Sequence, residues 1–224
     1  MEKMAELILR ELTAHYQDKK QRISLHRSKM TEITQEEMFK LIGQEYKFGV
    51  VAKNKDFICN DDLIIKIQNI AKFLTSENRK DALLLFGFVG VGKTMLADAI
   101  CEVIDKYNKI NSKGIFKVVK RINALEVVRL AIIDLKEFEK LKDEQYLFVD
   151  DLGIEPTKIM IYGNEIFPMS ELIVAREKEN MFSIFTSNLN LTEMQDRYGI
   201  RVANRINQYC DLIGFKENKS FRDK

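Results

Sequence analysis

The residues Gly87-Phe88-Val89-Gly90-Val91-Gly92-Lys93-Thr94 fit the pattern G-x-x-x-x-G-K-[ST]. They follow the apolar run Leu83 to Phe86 and precede the amphipathic stretch Met95 to Val103, which predicts a strand, a tight loop and a helix. Glycines let successive backbone N–H groups of such a loop face a phosphate, and the first turn of the helix adds partial positive charge. The stretch therefore predicts a phosphate-binding loop rather than an ordinary glycine-rich turn.

The lysine and threonine that end this pattern have specific expected roles. We expect the ammonium of Lys93 to reach the β and γ oxygens of a nucleotide and the hydroxyl of Thr94 to bind Mg²⁺. The residues that we predict to contact the phosphates are Gly87, Val89, Gly90, Val91, Gly92, Lys93, Thr94 and Met95.

A second acidic element is needed, because magnesium and the attacking water must be held opposite the phosphate loop. The apolar run Tyr146 to Val149 is followed by Asp150 and Asp151. We predict that Asp150 holds magnesium through its water shell and that Asp151 orients or deprotonates the water. The alternative is that the two acids only end a strand and open a turn.

A third element is Phe182 to Asn188, an apolar strand that ends in polar residues. Ligands of parallel sheets lie at the carboxyl ends of the strands, so this polar end should face the nucleotide. Asn188 could hydrogen-bond both the water and a γ-phosphate oxygen. Alternatively, Ser187 or Asn188 caps a helix that begins near Leu191.

Short apolar runs alternate with amphipathic stretches from residue 81 onwards, which is typical of strands joined by crossover helices. Uninterrupted runs of Val, Ile, Leu and Phe suit strands buried on both faces of a parallel sheet. An α/β nucleotide-binding core is therefore expected from about residue 58 onwards. The predicted strands are Leu83–Phe86, Phe116–Val119, Tyr146–Val149, Met181–Phe185 and Leu212–Phe215.

Helical patterns precede this core. We predict one helix over Ala5 to Tyr16 and a second that begins behind the capping-box pair Thr34 and Glu37 and ends at about Tyr46. A third helix should be capped by Asp61 or Asp62. We accordingly divide the chain into a helical N-terminal extension, residues 1–57, and an ATPase domain, residues 58–224.

Composition excludes several classes of protein. With 224 residues and a net charge of +2, any contact with nucleic acid must come from a local patch. Cys59, Cys101 and Cys210 form no CxxC pair, which argues against a disulfide framework or a thiolate zinc site and fits a reducing cytoplasm. The longest apolar run, residues 82–92, is shorter than the roughly 20 residues of a membrane helix, so no membrane association is expected.

Taken together, the motifs resemble those of AAA+ ATPases of the DnaC and IstB type, the bacterial replicative helicase loaders and related transposon ATPases. The resemblance covers roughly residues 60–224 and includes the terminal Ser220-Phe221-Arg222. It implies an AAA+ P-loop NTPase core with a mainly parallel sheet flanked by helices, and ATP hydrolysis with Mg²⁺. The motifs that carry it are GFVGVGKT at 87–94, LFVDDLG at 147–153, FTSN at 185–188 and YGIRVANRI at 198–206.

The resemblance also implies roles for residues outside the phosphate loop. Asn188 corresponds to the sensor 1 residue, and Arg205 matches the arginine finger that acts on ATP bound by the neighbouring subunit. Arg201, one helical turn earlier, is a near competitor. An ATP-dependent homo-oligomer would follow. The alternative for both arginines is a surface or structural ion pair.

The motifs and the resemblance are compatible with three functions. One is a loader that binds single-stranded DNA and a replicative helicase; the alternative is an IstB-like transposition ATPase that binds duplex DNA and stimulates a transposase. A third is a nucleotide-dependent interaction module with negligible catalysis, in which ATP acts as an assembly ligand. The presence of both Asp150 and Asp151 argues against such a dead site, although Asp151 stands where Glu is more usual. Residues 1–57 either hold the protein partner or only cover the core. The cationic candidates for DNA contact are Lys117, Lys120, Arg121 and the stretch Ala124–Ile133.

Overall fold

The computed structural model describes Arg10, Met30, residues 32–112, Gly114 and residues 116–215. The helix predicted over residues 5–16, apart from Arg10, and the motif at residues 220–222 lie outside the described residues. The elements, in chain order, are α1 (Gln35–Ala52), α2 (Asp61–Thr75), β1 (Ala82–Gly87), α3 (Lys93–Asn111), β2 (Lys120–Asn123), α4 (Ala124–Ile133), α5 (Leu135–Asp143), β3 (Tyr146–Leu152), β4 (Ile159–Ile161), β5 (Asn164–Ile166), α6 (Pro168–Lys178), β6 (Phe182–Ser187), α7 (Leu191–Tyr198), α8 (Ile200–Tyr209) and β7 (Cys210–Phe215).

A five-stranded sheet of order β2-β3-β6-β1-β7 forms the centre of the fold, and its neighbouring strands pair in parallel. All six residues of β6 are buried, as are the first four of β1, because helices cover both faces of the sheet. The predicted mainly parallel α/β architecture is confirmed. Parallel pairing brings the carboxyl ends of β1, β3 and β6 to one edge, where the predicted site residues follow the strands.

The strand predicted over Phe116 to Val119 is wrong, because the strand of this region, β2, begins only at Lys120. The backbone N–H of Val119 donates to Asp105 Oδ1 of α3 at 2.6 Å, and Asn108 Nδ2 donates to the carbonyl of Lys117 at 2.9 Å. Because side chains of α3 hold this apolar segment, pairing with β3 begins only at Lys120.

Two helix boundaries also differ from the predictions. Helix α1 continues to Ala52, beyond the expected end near Tyr46, because Val50 extends the buried stripe of Met38, Ile42 and Tyr46 by another turn. The cap of α2 is Asn60, whose Oδ1 accepts from the N–H of Leu63 at 2.8 Å, rather than either aspartate. The antiparallel hairpin β4–β5 and helix α6 were not predicted.

Helix α1 packs on the same face of the sheet as α2 and α3. Ile42 of α1 and Ile70 of α2 are fully buried in one hydrophobic cluster with Leu96 and Ile100 of α3. A second cluster on the opposite face contains buried residues of α4 to α8, including Leu172 and Met194. The domain boundary at residue 57 stays a prediction, but α1 shares its core with the helix that follows the phosphate loop.

Arg176 of α6 is fully buried and joins several elements. Its guanidinium donates to the carbonyls of Leu141 at 2.8 Å, Glu144 at 2.8 Å and Phe182 at 2.6 Å, and to Ser183 Oγ at 2.7 Å. Burial lowers the pKa of this guanidinium from its usual value. The hydrogen bonds fix the end of α5 against the start of β6.

Among the described helices, none is long and apolar enough to cross a membrane.

Replacing the buried side chain of α1 tests this packing. Ile42→Ala should lower the free energy of unfolding by about 2–4 kcal/mol, because it removes apolar contacts from a fully buried site. Leu41→Ala is the matched control: Leu41 is 39% exposed on the same helix, and its truncation should cost less than about 1 kcal/mol. Urea unfolding of both variants gives the comparison, and equal losses would contradict the packing of α1 on the core.

Candidate nucleotide-binding site

The loop between β1 and α3 needs glycine at two positions for different reasons. Gly87 has φ of +114°, and a Cβ there would lie 2.2 Å from the carbonyl oxygen of Phe215. Gly92, the residue before α3, has φ of +90°, and its Cβ would lie 2.6 Å from Tyr46 Oη. A larger residue would therefore strain the backbone and collide at both positions. The first glycine is crowded by β7 and the second by α1.

Lys93 is the first residue of α3 and is buried beneath this loop. Its Nζ donates to the carbonyls of Gly87 at 2.8 Å and Phe88 at 2.6 Å, and to Asn188 Oδ1 at 2.8 Å. A buried ammonium is costly unless its donors find acceptors, and these three oxygens provide them. The arrangement fixes one cation between the loop and the end of β6.

Thr94 and Asp150 form an oxygen-rich pair on the other side of the loop. Thr94 Oγ1 donates to Asp150 Oδ1 at 2.9 Å, and Thr186 Oγ1 of β6 donates to the same carboxylate oxygen. Hydroxyl and carboxylate oxygens are the ligands that Mg²⁺ prefers, usually together with waters and phosphate oxygens. The donor set thus fits magnesium held jointly with a bound phosphate. In the parts of the chain that the structure describes, no group of three or more His, Cys, Asp or Glu residues could hold a metal ion by itself.

Asp151 lies where the pairing of β3 with β6 is irregular. The register shifts between Val149 and Leu152, and Asp151 has a φ of +55°, in the left-handed region that Asp tolerates better than most residues. Its N–H donates to Thr186 Oγ1 at 2.9 Å. An irregularity of this kind re-aims side chains at the end of a strand. The two consecutive carboxylates therefore need not point to opposite faces of the sheet.

Asn188 links the two charged parts of the site. Its Oδ1 accepts from Lys93, while its Nδ2 donates to Asp151 Oδ1 at 3.4 Å. The alternative that Ser187 or Asn188 caps the next helix is wrong, because Asn190 caps α7 and accepts from the N–H of Glu193 at 2.9 Å. The amide of Asn188 thus lies between an ammonium and a carboxylate.

A cavity of about 630 Å³ adjoins these residues. This volume is in the range of small-molecule sites. One wall contains the phosphate loop and the carboxylates, and the other contains the end of α1 and the segment after it. The lining residues are Tyr46, Val50, Lys53, Asn54, Lys55, Asp56, Phe57, Ile58, Gly90, Gly92, Lys93, Thr94, Met95, Asp150, Asp151 and Asn188.

The apolar part of this cavity contains two aromatic rings. Tyr46 and Phe57 meet edge to face with their centroids 6.3 Å apart. Burial raises the pKa of Tyr46, so its hydroxyl stays neutral at physiological pH. Sequence reasoning missed this wall because it placed residues 1–57 in a separate extension. The continued i, i+4 pattern through Val50 was the signal that could have found it.

Thr186 is a further site residue that sequence reasoning missed. It is fully buried and bonds both the Asp150 carboxylate and the backbone of Asp151. It belongs to the FTSN motif that was noted, but its role depends on the register that sets β6 beside β3. The pairing of Val149 with Phe185 places the next residue of β6 beside the two aspartates.

The two candidate finger arginines lie away from the cavity lining. Arg201 is exposed on α8, and Arg205 forms an ion pair with Glu177 of α6. Of the cationic candidates for DNA contact, Lys117 and Lys120 are exposed, whereas Arg121 pairs with Glu102 at 2.9 Å and Asp105 at 2.8 Å. The structure therefore joins Lys93, Thr94, Asp150, Asp151 and Asn188 into one site but does not bring the arginines into it.

Among comparisons with known proteins, the comparison with solved structures finds similar folds. No protein-family model matches the chain, and no curated protein matches it. A crystal structure of the DnaC helicase loader matches with a TM-score of 0.55 and 21% identity, covering 76% of this chain and 98% of that one. A crystal structure of DnaI matches with a TM-score of 0.54 and 20% identity, covering 77% of this chain and 94% of that one.

A third match extends the likeness to replication initiators. The initiator DnaA, solved with AMPPCP and single-stranded DNA, matches with a TM-score of 0.50 and 15% identity, covering 74% of this chain and 50% of that one. At these identities the matches establish the fold. The parallel sheet with helices on both faces is therefore the fold of the DnaC and DnaI structures.

Proposed function

We propose that this protein is an ATPase of DNA replication that hydrolyses ATP between subunits of a homo-oligomer and loads a replicative helicase onto single-stranded DNA. The observation that supports the ATPase best is the connected set of Lys93, Asn188 and Asp151 beside the cavity, with Thr94 and Asp150 adjoining it. The likeness to DnaC and DnaI supports the loader.

Bound ATP would replace some of the hydrogen bonds that the residues of the site make with one another. Its β- and γ-phosphate oxygens would take the place of carbonyl acceptors around Lys93, and the N–H groups of residues 89–95 would cradle the phosphates. Charged phosphate oxygens are stronger acceptors than neutral carbonyls, which favours this exchange. Thr94 and Asp150 would hold magnesium, which supplies positive charge beside the phosphates.

Hydrolysis would use the carboxylate of Asp151 as the group that orients the water and accepts its proton. The water oxygen forms a bond to the γ-phosphorus, the bond from that phosphorus to the β–γ bridging oxygen breaks, and ADP leaves. Asn188 would release Lys93 and hydrogen-bond the water or a γ-phosphate oxygen. An amide already in contact with Lys93 and Asp151 needs little rearrangement to do so.

The base of the nucleotide would occupy the aromatic end of the cavity. Tyr46 and Phe57 offer ring surface, and Lys53 and Lys55 lie on the same wall. In this proposal the N-terminal extension, residues 1–57, still contacts the helicase, while its segment from Tyr46 onwards contributes to nucleotide binding. Lys117, Lys120 and helix α4 stay the proposed contacts to single-stranded DNA, a ligand that the neighbouring DnaA structure contains.

The arginine finger would come from another subunit. Arg205, or its competitor Arg201, would neutralise charge on the γ-phosphoryl group of the neighbour's ATP. In this chain Arg205 is paired with Glu177, so assembly would have to exchange that carboxylate for a phosphate. Isolated subunits should then hydrolyse ATP slowly.

Removing the ring of Phe57 tests the base-binding wall. Phe57→Ala should weaken ATP binding about tenfold, because the base loses an aromatic contact and Tyr46 loses its ring partner. Phe48→Ala is the matched control, since Phe48 lies on α1 but is 72% exposed and outside the cavity lining. Titration with a fluorescent ATP analogue measures both affinities. Unchanged affinity in Phe57→Ala would place the base elsewhere.

Substitutions in α8 and α6 test whether Arg205 acts as an arginine finger or only forms a structural ion pair with Glu177. Arg205→Ala should leave ATP affinity unchanged and lower assembly-stimulated turnover by about 10³-fold, the usual contribution of an arginine finger. Glu177→Gln removes the ion-pair partner and should keep stimulated turnover. Steady-state ATPase assays over a range of protein concentrations test this. An equal loss in both variants would assign Arg205 a structural role, and a loss confined to Arg201→Ala would move the finger to that residue.

The test of the proposed function is ATPase activity alone, with single-stranded DNA, and with duplex DNA of the same length. We expect stimulation by single strands that disappears in Arg205→Ala. Lys93→Ala should abolish nucleotide binding and sets the background, because the ammonium is the cation nearest the predicted phosphates.

Other results would assign the protein differently. A preference for duplex DNA would support the transposition ATPase. No response to either DNA would support a module that a protein partner switches.

A further inference from the structure

Glu155 is a fully buried carboxylate that the proposed reaction does not use. It lies in the loop after β3, four residues beyond Asp151. Carboxylates are rarely buried to this extent unless donors hold them. The groups that donate hydrogen bonds to Glu155 therefore show which segments of the chain it holds together.

Two segments of the chain donate to Glu155. Its Oε2 accepts from the N–H of Gly153 at 2.8 Å, within its own loop. Its Oε1 accepts from the hydroxyl of Tyr198, the last residue of α7, and its backbone carbonyl accepts from the guanidinium of Arg197. The residue thus ties the loop after β3 to the end of α7 by both its side chain and its backbone.

The other end of this loop is part of the candidate site. The N–H of Ile154 donates to the carbonyl of Asp151 at 3.3 Å, which closes a turn over Leu152 and Gly153. Gly153 has φ of +108°, and a Cβ there would lie 2.5 Å from the side chain of Leu189, just beyond Asn188. A displacement of Asp151 would therefore be passed to Glu155, because this short turn connects Asp151 to the Gly153 N–H that donates to Glu155 Oε2.

Helix α7 leads directly into the helix that carries the candidate finger arginines. Gly199, with φ of +81°, is both the last cap of α7 and the first cap of α8. Only this residue separates Tyr198 from α8, on which Arg201 and Arg205 lie. The direction of α8 is accordingly set by how the end of α7 is held.

We propose that Glu155 is a positioning residue that couples the loop of Asp151 to α7 and α8, so that nucleotide bound in one subunit changes how that subunit presents α8 to its neighbour. The inference rests on the proposed nucleotide binding. A buried charged acceptor suits this role, since hydrogen bonds to a carboxylate are stronger than those between neutral groups and are costly to break.

Hydrogen exchange of the full chain with and without AMPPCP tests the coupling. In the unsubstituted protein the analogue should slow amide exchange about tenfold in the phosphate loop and also in α8. In Glu155→Gln the protection of the phosphate loop should persist, while the protection of α8 is lost. Asp196→Asn is the matched control, because it removes an exposed carboxylate from α7 and should keep both effects.

A second variant keeps the test decisive if Glu155→Gln does not fold. Tyr198→Phe removes one donor to Glu155 while the ring stays buried, and it should also reduce the protection of α8. Protection of α8 at the unsubstituted level in either folded variant would overturn the coupling, as would the absence of α8 protection in the unsubstituted protein.

The result also distinguishes the coupling from the proposed function. If AMPPCP protects the phosphate loop but never α8, nucleotide binding stands and the coupling fails. If it protects neither segment, nucleotide binding itself fails, and the coupling fails with it. In turnover assays normalised to the concentration of folded protein, Glu155→Gln should lower kcat about tenfold with KM for ATP unchanged. Loss of folded protein would also lower the apparent kcat, so retained protection of the phosphate loop together with lost protection of α8 distinguishes the coupling from unfolding.

Discussion

The buried ammonium of Lys93 is the interaction on which the geometry of the site depends. A cation in this position requires acceptors, and two of those around Lys93 are carbonyls of its own loop. The loop must therefore curl back over the first turn of α3, which only glycine permits at Gly87 and Gly92, where other elements leave no room for a side chain. Another acceptor, Asn188, fixes the end of β6 to the same point. One charge thus sets the relative positions of the loop, the helix and the central strand.

Helix α1 contributes both to the hydrophobic core and to the wall of the cavity beside Lys93. Its apolar stripe completes the hydrophobic core over α2 and α3, and the hydroxyl of Tyr46 lies against Gly92. The same helix and the segment after it form one wall of the cavity. Because burial of the stripe holds the wall in place, stability and ligand binding are expected to be linked on this side of the molecule. A partner that contacted the preceding residues of the extension could influence the nucleotide through this helix.

The parts of the site that sequence reasoning predicted are those encoded locally. The phosphate loop, the paired aspartates and Asn188 each follow an apolar strand, and parallel pairing brings strand ends together whatever the rest of the chain does. Thr186 and Tyr46 were missed because their roles arise from register and from packing between distant segments. Phe116 to Val119 was assigned as a strand because its apolar character is real, but α3 rather than a neighbouring strand satisfies its backbone. Glu155 lies two residues beyond the quoted LFVDDLG motif, and the fold brings it to Tyr198.

Because residue 151 is an aspartate, the position of its carboxylate depends strongly on how its loop is held. An aspartate has one rotatable bond fewer than the glutamate more usual at this position, so the place of its carboxylate is determined largely by the backbone. That backbone is in a left-handed conformation beside an irregularity of the strand, held by Thr186 on one side and by the turn to Glu155 on the other. A short side chain cannot compensate for a shift of its backbone as a longer one can. Accurate placement of the carboxylate that we propose to orient the water therefore depends on the loop, and hence on the contacts that tie the loop to α7.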